Sequence, residues 1–169
     1  MDDGSMTLII ALVFLVACSA FFSASETAFS SLNQIRLKSR AEDGDASAAR
    51  VLAMAEKYDK LLSTILIGNN IVNIAAASIG TILFTRALGA ERGATMSTIV
   101  LTIVVLIFGE VTPKSLAKEM PETVATAVSP MLNLLMVLFT PLTWLFSQWK
   151  RLLGHFVHST EEDLSLIHI

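Results

Sequence analysis

The stretch from Gly93 to Lys114, GATMSTIVLTIVVLIFGEVTPK, decides the fold class of this chain. It carries no charge as far as Gly109, and Glu110 and Pro113 then follow. A helix needs about 20 apolar residues to cross a bilayer, so this run spans one only if it continues past Glu110. The stretch therefore predicts a membrane helix that holds a carboxylate, which is costly in a bilayer and indicates a function.

The composition of the whole chain supports this interpretation. Hydrophobic residues make up 53% of the 169 residues, charged residues make up 16%, and the mean hydropathy is +0.65. Soluble domains carry about 25% charged residues, so these values indicate an integral membrane protein. The net charge of −3 leaves no basic surface for nucleic acid, and the single cysteine, Cys18, excludes a disulfide framework or a zinc-type cluster.

Uncharged stretches mark the candidate membrane spans. They cover residues 4–25, 61–85, 93–109 and 123–149. The first three are predicted to be transmembrane helices. Cytoplasmic loops are enriched in Lys and Arg, and six of these residues lie in the segment Arg36–Lys60, against two between the second and third stretches. We therefore expect the N-terminus outside the cell membrane and Arg36–Lys60, with one or two short helices over Asp45–Tyr58, in the cytoplasm.

The fourth uncharged stretch is ambiguous. Pro130 and Pro141 divide it into pieces of about 10 residues, each too short to span a membrane. A further crossing would also place Lys150 and Arg151 outside, against the orientation rule. We expect a juxtamembrane helical belt, interfacial or re-entrant, that leaves the C-terminus cytoplasmic. A true fourth span stays open because membrane helices tolerate proline.

The predicted fold is thus an all-α integral membrane domain with three transmembrane helices, short cytoplasmic helices and the juxtamembrane belt. This domain is assigned to residues 6–154. Residues 1–5 resemble a vector-derived segment, and residues 155–169 are interpreted as a linker towards a further cytoplasmic module. All three histidines lie in that linker, and we expect them to be solvated rather than to bind a metal: His155, His158 and His168.

Polar side chains recur on one face of the first predicted helix. Ser19, Ser23, Glu26 and Ser30 follow a spacing of i, i+4, i+7 and i+11. Small serines also let membrane helices pack closely, and that explanation suffices for the serines alone. Glu26 instead favours a polar cavity that water can enter.

The second predicted helix carries three asparagines within GNNIVN, residues 68–73. Asn70 and Asn73 share a helix face at i, i+3, and each offers an uncharged carbonyl oxygen. A hydrogen bond between membrane helices is worth only about 1 kcal/mol and needs one asparagine rather than three. The cluster therefore favours an ion bound through oxygen.

In the third predicted helix, Pro113 has no N–H to pair with the carbonyl of Gly109. We expect the helix to bend there, with the Gly109 carbonyl free to contact a cation and Glu110 supplying negative charge. The alternative is an ordinary proline kink in which Glu110 pairs with Lys114 at i, i+4. Hydroxyl, amide, carbonyl and carboxylate oxygens suit Mg²⁺, Ca²⁺ or Na⁺ rather than zinc or copper, and few carboxylates suit a site that must release its ion.

Three motifs together resemble the transmembrane domain of the CNNM/CorC magnesium transporters: SAFFSASETA (19–28), GNNIVN (68–73) and FGEVTPK (108–114). The resemblance extends from Ser19 to about Leu153. It implies a homodimer in membrane lipid, an inward-facing cavity, and export of Mg²⁺ with Na⁺ as a possible counter-ion. It also implies that nucleotide binds only through CBS domains that this sequence does not contain.

The resemblance assigns the ion ligands residue by residue. In that family serines of the first helix, an asparagine of the second and a Gly-Glu pair of the third hold the ion. They correspond here to Ser19, Ser23, Asn70, Gly109 and Glu110, with four supporting neighbours: Glu26, Asn69, Asn73 and Pro113.

The sequence therefore predicts the membrane domain of a magnesium transporter. A membrane Mg²⁺ sensor or scaffold that regulates another transporter is the alternative. An enzyme is not expected, because the predicted spans contain no histidine and Cys18 has no base partner. The identity of the ion stays open among Mg²⁺, Na⁺ and Ca²⁺.

Overall fold

The computed structural model describes residues 3–146, 148 and 149, and all regular structure within them is helical. The predicted all-α class is therefore confirmed. In chain order the elements are α1 (Asp3–Ser30), α2 (Gln34–Glu42), α3 (Ala46–Ala55), α4 (Tyr58–Leu88), α5 (Ala90–Val104), a π-helical segment (Val105–Val111), α6 (Thr112–Glu119) and α7 (Pro121–Leu138). Residues 140–146 are again helical.

Four helical stretches are long and apolar enough to cross a membrane by length and composition: Gly4–Ser30, Tyr58–Leu88, Ala90–Glu119 and Pro121–Leu138. The first three coincide with the three predicted spans. The third joins α5, the π-helical segment and α6, so the helix continues past Glu110 as the sequence required. The fourth is α7, one more candidate than the three predicted.

The sequence prediction that Pro130 divides the fourth stretch is wrong. α7 runs unbroken from Pro121 to Leu138 with Pro130 inside it. A proline removes the N–H that the carbonyl four residues earlier would accept, which here belongs to Thr126. The Ser129 Oγ, fully buried, donates to that carbonyl at 3.0 Å and replaces the missing donor. The helical character of the stretch is as predicted, and its interruption falls at Phe139.

α1 is the central helix of the domain. It packs against α4, the π-helical segment, α6 and α7. Its Phe22 and Phe29 belong to the buried core together with Leu61 and Ile65 of α4 and Leu132 of α7. α4 and α5 form an antiparallel hairpin closed at Gly89, whose φ of +83° lies in the left-handed region that favours glycine.

The predictions for the two ends of the chain, a vector-derived segment over residues 1–5 and a linker over residues 155–169, stay predictions. α1 begins at Asp3, inside the residues 1–5 that were expected to lie outside the fold. Residues 155–169, with the three histidines, lie outside the described residues, as do Lys150 and Arg151.

The short helix α3 confirms the helical structure predicted over Asp45–Tyr58, and α2 is a further short helix that precedes this range. Asp45 is the N-cap of α3, and its Oδ1 accepts the N–H groups of Ser47 at 2.9 Å and Ala48 at 3.1 Å. Arg40 of α2 contacts Asp45 Oδ2 at 2.7 Å and Glu122 Oε2 of α7 at 3.3 Å. Arg40 thereby connects the cap of α3 to the first turn of α7.

These contacts shift the pKa values of both Asp45 and Arg40. The hydrogen bond from the Ala48 N–H, followed by the one from Arg40, holds the pKa of Asp45 below its usual value. The hydrogen bond to Asp45 raises the pKa of Arg40. A carboxyl group with a lowered pKa stabilises the fold above its unfolded pKa, and that stabilisation is lost as the pH falls through the folded pKa.

We expect Asp45→Ala to lower the melting temperature of the purified protein at pH 7 more than Asp45→Asn does, because asparagine still caps a helix. The difference between wild type and Asp45→Asn should shrink below a pH of about 3.9, the ordinary pKa of aspartate. Thermal unfolding between pH 7 and pH 3 measures this. Glu42→Ala, an exposed neighbour, is the control and should change little. A difference that stays constant across that pH range would contradict the role of the Asp45 charge.

Candidate cation-binding site

Two serines of α1 turn buried hydroxyls towards the neighbouring helices. Ser19 and Ser23 lie one helical turn apart and are 1% and 0% exposed. The Ser19 Oγ donates to Asn69 Oδ1 of α4 at 3.3 Å, whereas the Ser23 Oγ has no hydrogen-bond partner. Ser25, equally buried, instead donates to the Phe21 carbonyl at 2.7 Å. Ser23 is thus a buried serine that does not donate to the carbonyl one turn earlier in its helix, the bond that Ser25 makes.

α4 brings Asn69 and Asn73 to this cluster, but not Asn70. Asn73 Nδ2 lies 3.5 Å from Asn69 Oδ1, so the Asn69 oxygen faces donors from both Ser19 and Asn73. Asn70 is exposed, and its Nδ2 donates to the Leu66 carbonyl of its own helix at 2.9 Å. The two asparagines that share a side are therefore spaced i, i+4 rather than the predicted i, i+3.

A signal in the sequence marks the packed side of α4. Gly68, Ala76 and Gly80 are small residues at spacings of eight and four, and all three are buried. A Cβ at Gly68 would overlap the ring of Phe22 of α1, so this line of small residues faces its neighbours. Asn69 follows Gly68 by one position, about 100° around the helix, whereas Asn70 follows by about 200° and points away.

The third helix contributes Gly109 at a break in its hydrogen-bond register. The predicted α-helical register at Gly109 is wrong, because Val105–Val111 forms a π-helix and the Thr112 N–H donates to the Ile107 carbonyl five residues back. Gly109 is buried, and a Cβ placed on it would lie 3.0 Å from the Ser19 Oγ. The glycine therefore allows the backbone of this segment to reach Ser19.

Pro113 follows the π-helical segment, in the first turn of α6. Its missing N–H would have served the Gly109 carbonyl in α register and the Phe108 carbonyl in π register. Pro130 of α7 provides an internal comparison, because there the Ser129 hydroxyl replaces the missing donor. Among the described residues no side-chain hydroxyl does the same at Pro113. A cation is one partner that a carbonyl in this position accepts.

The ion pairing of the site's carboxylates differs from the alternative that the sequence left open. Lys114 Nζ lies 3.0 Å from Glu26 Oε2 of α1, so the proposed pairing of Lys114 with Glu110 is wrong. Glu26, on the same face of α1 as the serines, is thereby neutralised. Glu110 is half-buried and makes no ion pair with any described residue. It is the carboxylate of the cluster that can balance a bound charge.

Ser19 lies where three elements meet, since it donates to Asn69 of α4 and its Oγ would lie 3.0 Å from a Cβ placed on Gly109 of the π-helical segment. The groups around it are hydroxyl, amide and carbonyl oxygens with Glu110 as the adjacent carboxylate. In the described part of the chain, no three His, Cys, Asp or Glu side chains come together. This donor set suits a hard cation, which prefers oxygen ligands.

Comparison with known proteins agrees with the motifs that make up this cluster. Residues 10–165, most of the chain, match the family described as CNNM, the cyclin M transmembrane N-terminal domain. The chain belongs to the CNNM family. The resemblance drawn from the three motifs is therefore confirmed.

Curated relatives of this CNNM domain fall into two groups. It is 47% identical over 135 residues to the UPF0053 inner membrane protein YfjD of Escherichia coli K12, covering 80% of this chain and 31% of that protein. It is 40% identical over 151 residues to a UPF0053 protein of Haemophilus influenzae, covering 89% of this chain and 36% of that protein. It is also 32% identical over 151 residues to a polyamine export protein of Escherichia coli K12, covering 82% and 34%.

The CNNM domain spans about a third of the length of these relatives. Family membership, an inner membrane relative and several membrane-length helices identify it as a multi-pass membrane protein.

Ser23→Ala should raise the stability of the cation-free protein, because it removes a buried hydroxyl whose desolvation costs about 1–3 kcal/mol when unpaired. Ser25→Ala is the matched control, since it removes an equally buried hydroxyl that is hydrogen-bonded and gains the same helix propensity. Melting temperatures measured in detergent with a chelator make the comparison. A Ser23→Ala protein that is no more stable than Ser25→Ala would show that the Ser23 hydroxyl is already satisfied.

Proposed function

We propose that this CNNM domain transports Mg²⁺ across the membrane, using oxygen ligands from three helices. The proposed ligands are the hydroxyls of Ser19 and Ser23, the Asn69 amide oxygen, the Gly109 carbonyl and the Glu110 carboxylate. The observation that supports this most is the fully buried Ser23 Oγ, which has no hydrogen-bond partner among the described residues and lies one turn from Ser19, the serine that donates to Asn69 of α4. A bound cation would satisfy that oxygen where no protein donor does.

The chemistry of the donors supports Mg²⁺ in particular. Mg²⁺ prefers six oxygen ligands at about 2.0–2.1 Å, which requires helices that approach closely. Glycine at positions 68 and 109 permits such an approach, because a Cβ at either would meet α1. Glu110 supplies a single negative charge, and neutral oxygens supply the rest. A site with this charge balance binds weakly enough to release its ion, which transport requires.

Asn69 replaces Asn70 in this proposal as the amide ligand. Asn69 is in hydrogen-bond contact with Ser19, whereas Asn70 is exposed and bonded to its own helix. Asn73 and Glu26 hold supporting positions, the first beside Asn69 and the second paired with Lys114. Pro113 supports the site by supplying no N–H to the carbonyls before it.

Direction and coupling belong to the same proposal. We propose export of Mg²⁺ in exchange for Na⁺, with the N-terminus outside and α2 and α3 in the cytoplasm. The positive charge of the segment between α1 and α4 supports this orientation. A homodimer is the proposed assembly.

Polyamine export is a second candidate function, favoured by the names of relatives that are 29–32% identical to parts of this chain. A polyamine carries several ammonium groups along an apolar chain and needs several carboxylates or aromatic faces to receive them. Glu26 is paired with Lys114, which leaves Glu110 as the free carboxylate of the cluster. This charge balance favours a compact cation.

Calorimetric titration with Mg²⁺ tests the ligand set. Ser23→Ala, Asn69→Ala and Glu110→Gln should each weaken binding by tenfold or more, since a hydrogen-bond-like contact to a charged group is worth about 1.5–3 kcal/mol. Asn70→Ala is the matched control and should bind as wild type does. If Asn70→Ala weakens binding and Asn69→Ala does not, the amide ligand lies on the other side of α4 and our assignment is wrong.

Reconstitution into liposomes tests transport. With a Mg²⁺-sensitive dye inside, the wild-type protein should move Mg²⁺ down its gradient, faster with an opposing Na⁺ gradient, and Glu110→Gln should reduce the initial rate at least tenfold. Parallel vesicles loaded with radiolabelled spermidine compare the two substrates. Intact Mg²⁺ binding without flux would favour a sensor or scaffold, and flux of spermidine without Mg²⁺ would favour polyamine export.

A further inference from the structure

A cavity lies between α4 and α5, beside the Ser19 cluster, and its lining combines polar residues with the apolar Ala77, Leu101 and Val105. Its volume is about 230 Å³. Its polar lining comes from Asn73 and Thr81 of α4 and from Ser97, Thr98 and Thr102 of α5. These positions lie nearer along both helices to the turn at Gly89 than Asn69 and Gly109 do. The cavity therefore extends from the Ser19 cluster, which it meets at Asn73, towards the other end of the hairpin.

Hydrogen bonds leave several oxygens of this lining free to accept. The Thr81 hydroxyl donates to the Ala77 carbonyl at 2.8 Å, and the Thr98 hydroxyl donates to the Ala94 carbonyl at 3.0 Å. Each proton is thereby committed to the backbone, and the oxygen lone pairs are what the threonine presents elsewhere. Asn73 Nδ2 is directed at Asn69, and its Oδ1 is buried without a partner.

The buried and unpaired hydroxyl of Ser97 is not explained by close helix packing. Ser97 is 1% exposed and its Oγ has no hydrogen-bond partner, although a serine in a helix can donate to a carbonyl of the preceding turn. Ser63 and Ser78 of α4 do so at 2.7 and 2.9 Å. An unpaired buried polar group is costly, so the Ser97 Oγ and Asn73 Oδ1 beside one cavity indicate a ligand that oxygen lone pairs can bind.

We propose that this cavity is a second cation site, which binds a partly hydrated Na⁺ through the oxygens of Asn73, Ser97 and the neighbouring threonines. Within the part of the chain that the structure describes, no charged side chain lines it. Neutral oxygens alone balance a divalent ion poorly in a membrane, so a monovalent ion fits the lining better. The cavity also has room for several waters, each of which occupies about 30 Å³ in the liquid, so the ion need not lose its whole hydration shell.

Asn73 joins this cavity to the Mg²⁺ site of the proposed function, on which the physiological meaning of the second site rests. Asn69 Oδ1 lies within reach of both Ser19 Oγ and Asn73 Nδ2. A Na⁺ held by Asn73 Oδ1 fixes the orientation of that amide, and with it the donor that competes for the Asn69 oxygen. The two ions should therefore change each other's affinity, and by the same factor in both directions.

Equilibrium binding of radiolabelled Na⁺ to the purified protein, with choline replacing other cations, tests the site. Wild type should bind Na⁺ without Mg²⁺, and Ser97→Ala and Thr102→Val should each weaken that binding about tenfold. Ser78→Ala is the matched control, because it removes a serine of α4 that lies outside the cavity lining and is bonded to its own helix. Thermal unfolding measures whether each variant is folded. If one of the two variants does not fold, the other still tests the site.

The outcomes separate this inference from the proposed function. Glu110→Gln should lose Mg²⁺ binding and keep Na⁺ binding, whereas Ser97→Ala should keep Mg²⁺ binding and lose the effect of Na⁺ on it. Na⁺ binding that Ser78→Ala reduces as much as Ser97→Ala would overturn the site, as would an absence of Na⁺ binding in wild type. If methylammonium displaces the labelled Na⁺ more effectively than unlabelled Na⁺ does, the site would also be overturned, in favour of an ammonium ligand. Mg²⁺ binding that survives Glu110→Gln would contradict the proposed function alone.

Discussion

The close approach of the third helix to α1, where Gly109 leaves no room for a side chain beside Ser19, is the constraint on which the rest of this membrane domain depends. A side chain at position 109 would crowd Ser19, and one at position 68 would overlap Phe22. With both side chains absent, α1 approaches α4 and the third helix closely enough for short polar groups to meet. Lipid offers no hydrophobic force to hold membrane helices together, so close packing of this kind supplies much of their association. The same closeness that stabilises the helix packing also creates the candidate cation site.

The buried polar groups of this domain differ in whether they are hydrogen-bonded within their own helix, and this difference distinguishes the candidate sites. Many hydroxyls, such as those of Ser25 and Thr64, donate to a carbonyl one turn earlier and need no further partner. Ser129 uses the same kind of bond to compensate for Pro130. Ser23, Ser97 and the Asn73 oxygen do neither, and all are buried. Because the chain pairs its other buried hydroxyls so readily, the unpaired ones distinguish the candidate sites from ordinary helix packing.

The sequence predicted the long helices well and their details less well, for physical reasons. The length and hydropathy of 4–25, 61–85 and 93–109 were sufficient for the three long helices, because a bilayer imposes a minimum length on any span. The effect of Pro130 was mispredicted because its rescue depends on the rotamer of one preceding serine. The π-helical segment was not foreseen, since one extra residue in a helical turn leaves no mark in hydropathy.

The candidate site was predicted at the level of motifs but not of individual side chains. Ser19 of α1 lies beside Gly109, and the assignment of these residues and Ser23 as ion ligands stays a prediction. The choice between Asn69 and Asn70 depended on the rotation of α4, which the small residues Gly68, Ala76 and Gly80 record more reliably than the asparagines themselves. The partner of Lys114 depended on which helix lies beside it, and an i, i+4 spacing cannot report a contact with α1. A π-helical turn also has a mechanical consequence here. Conversion of that turn to α-helix would shift the phase of α6 by one residue, about 100° of rotation and 1.5 Å of rise. Lys114 would then move away from Glu26, so their ion pair is compatible only with the register that the π-helical turn produces.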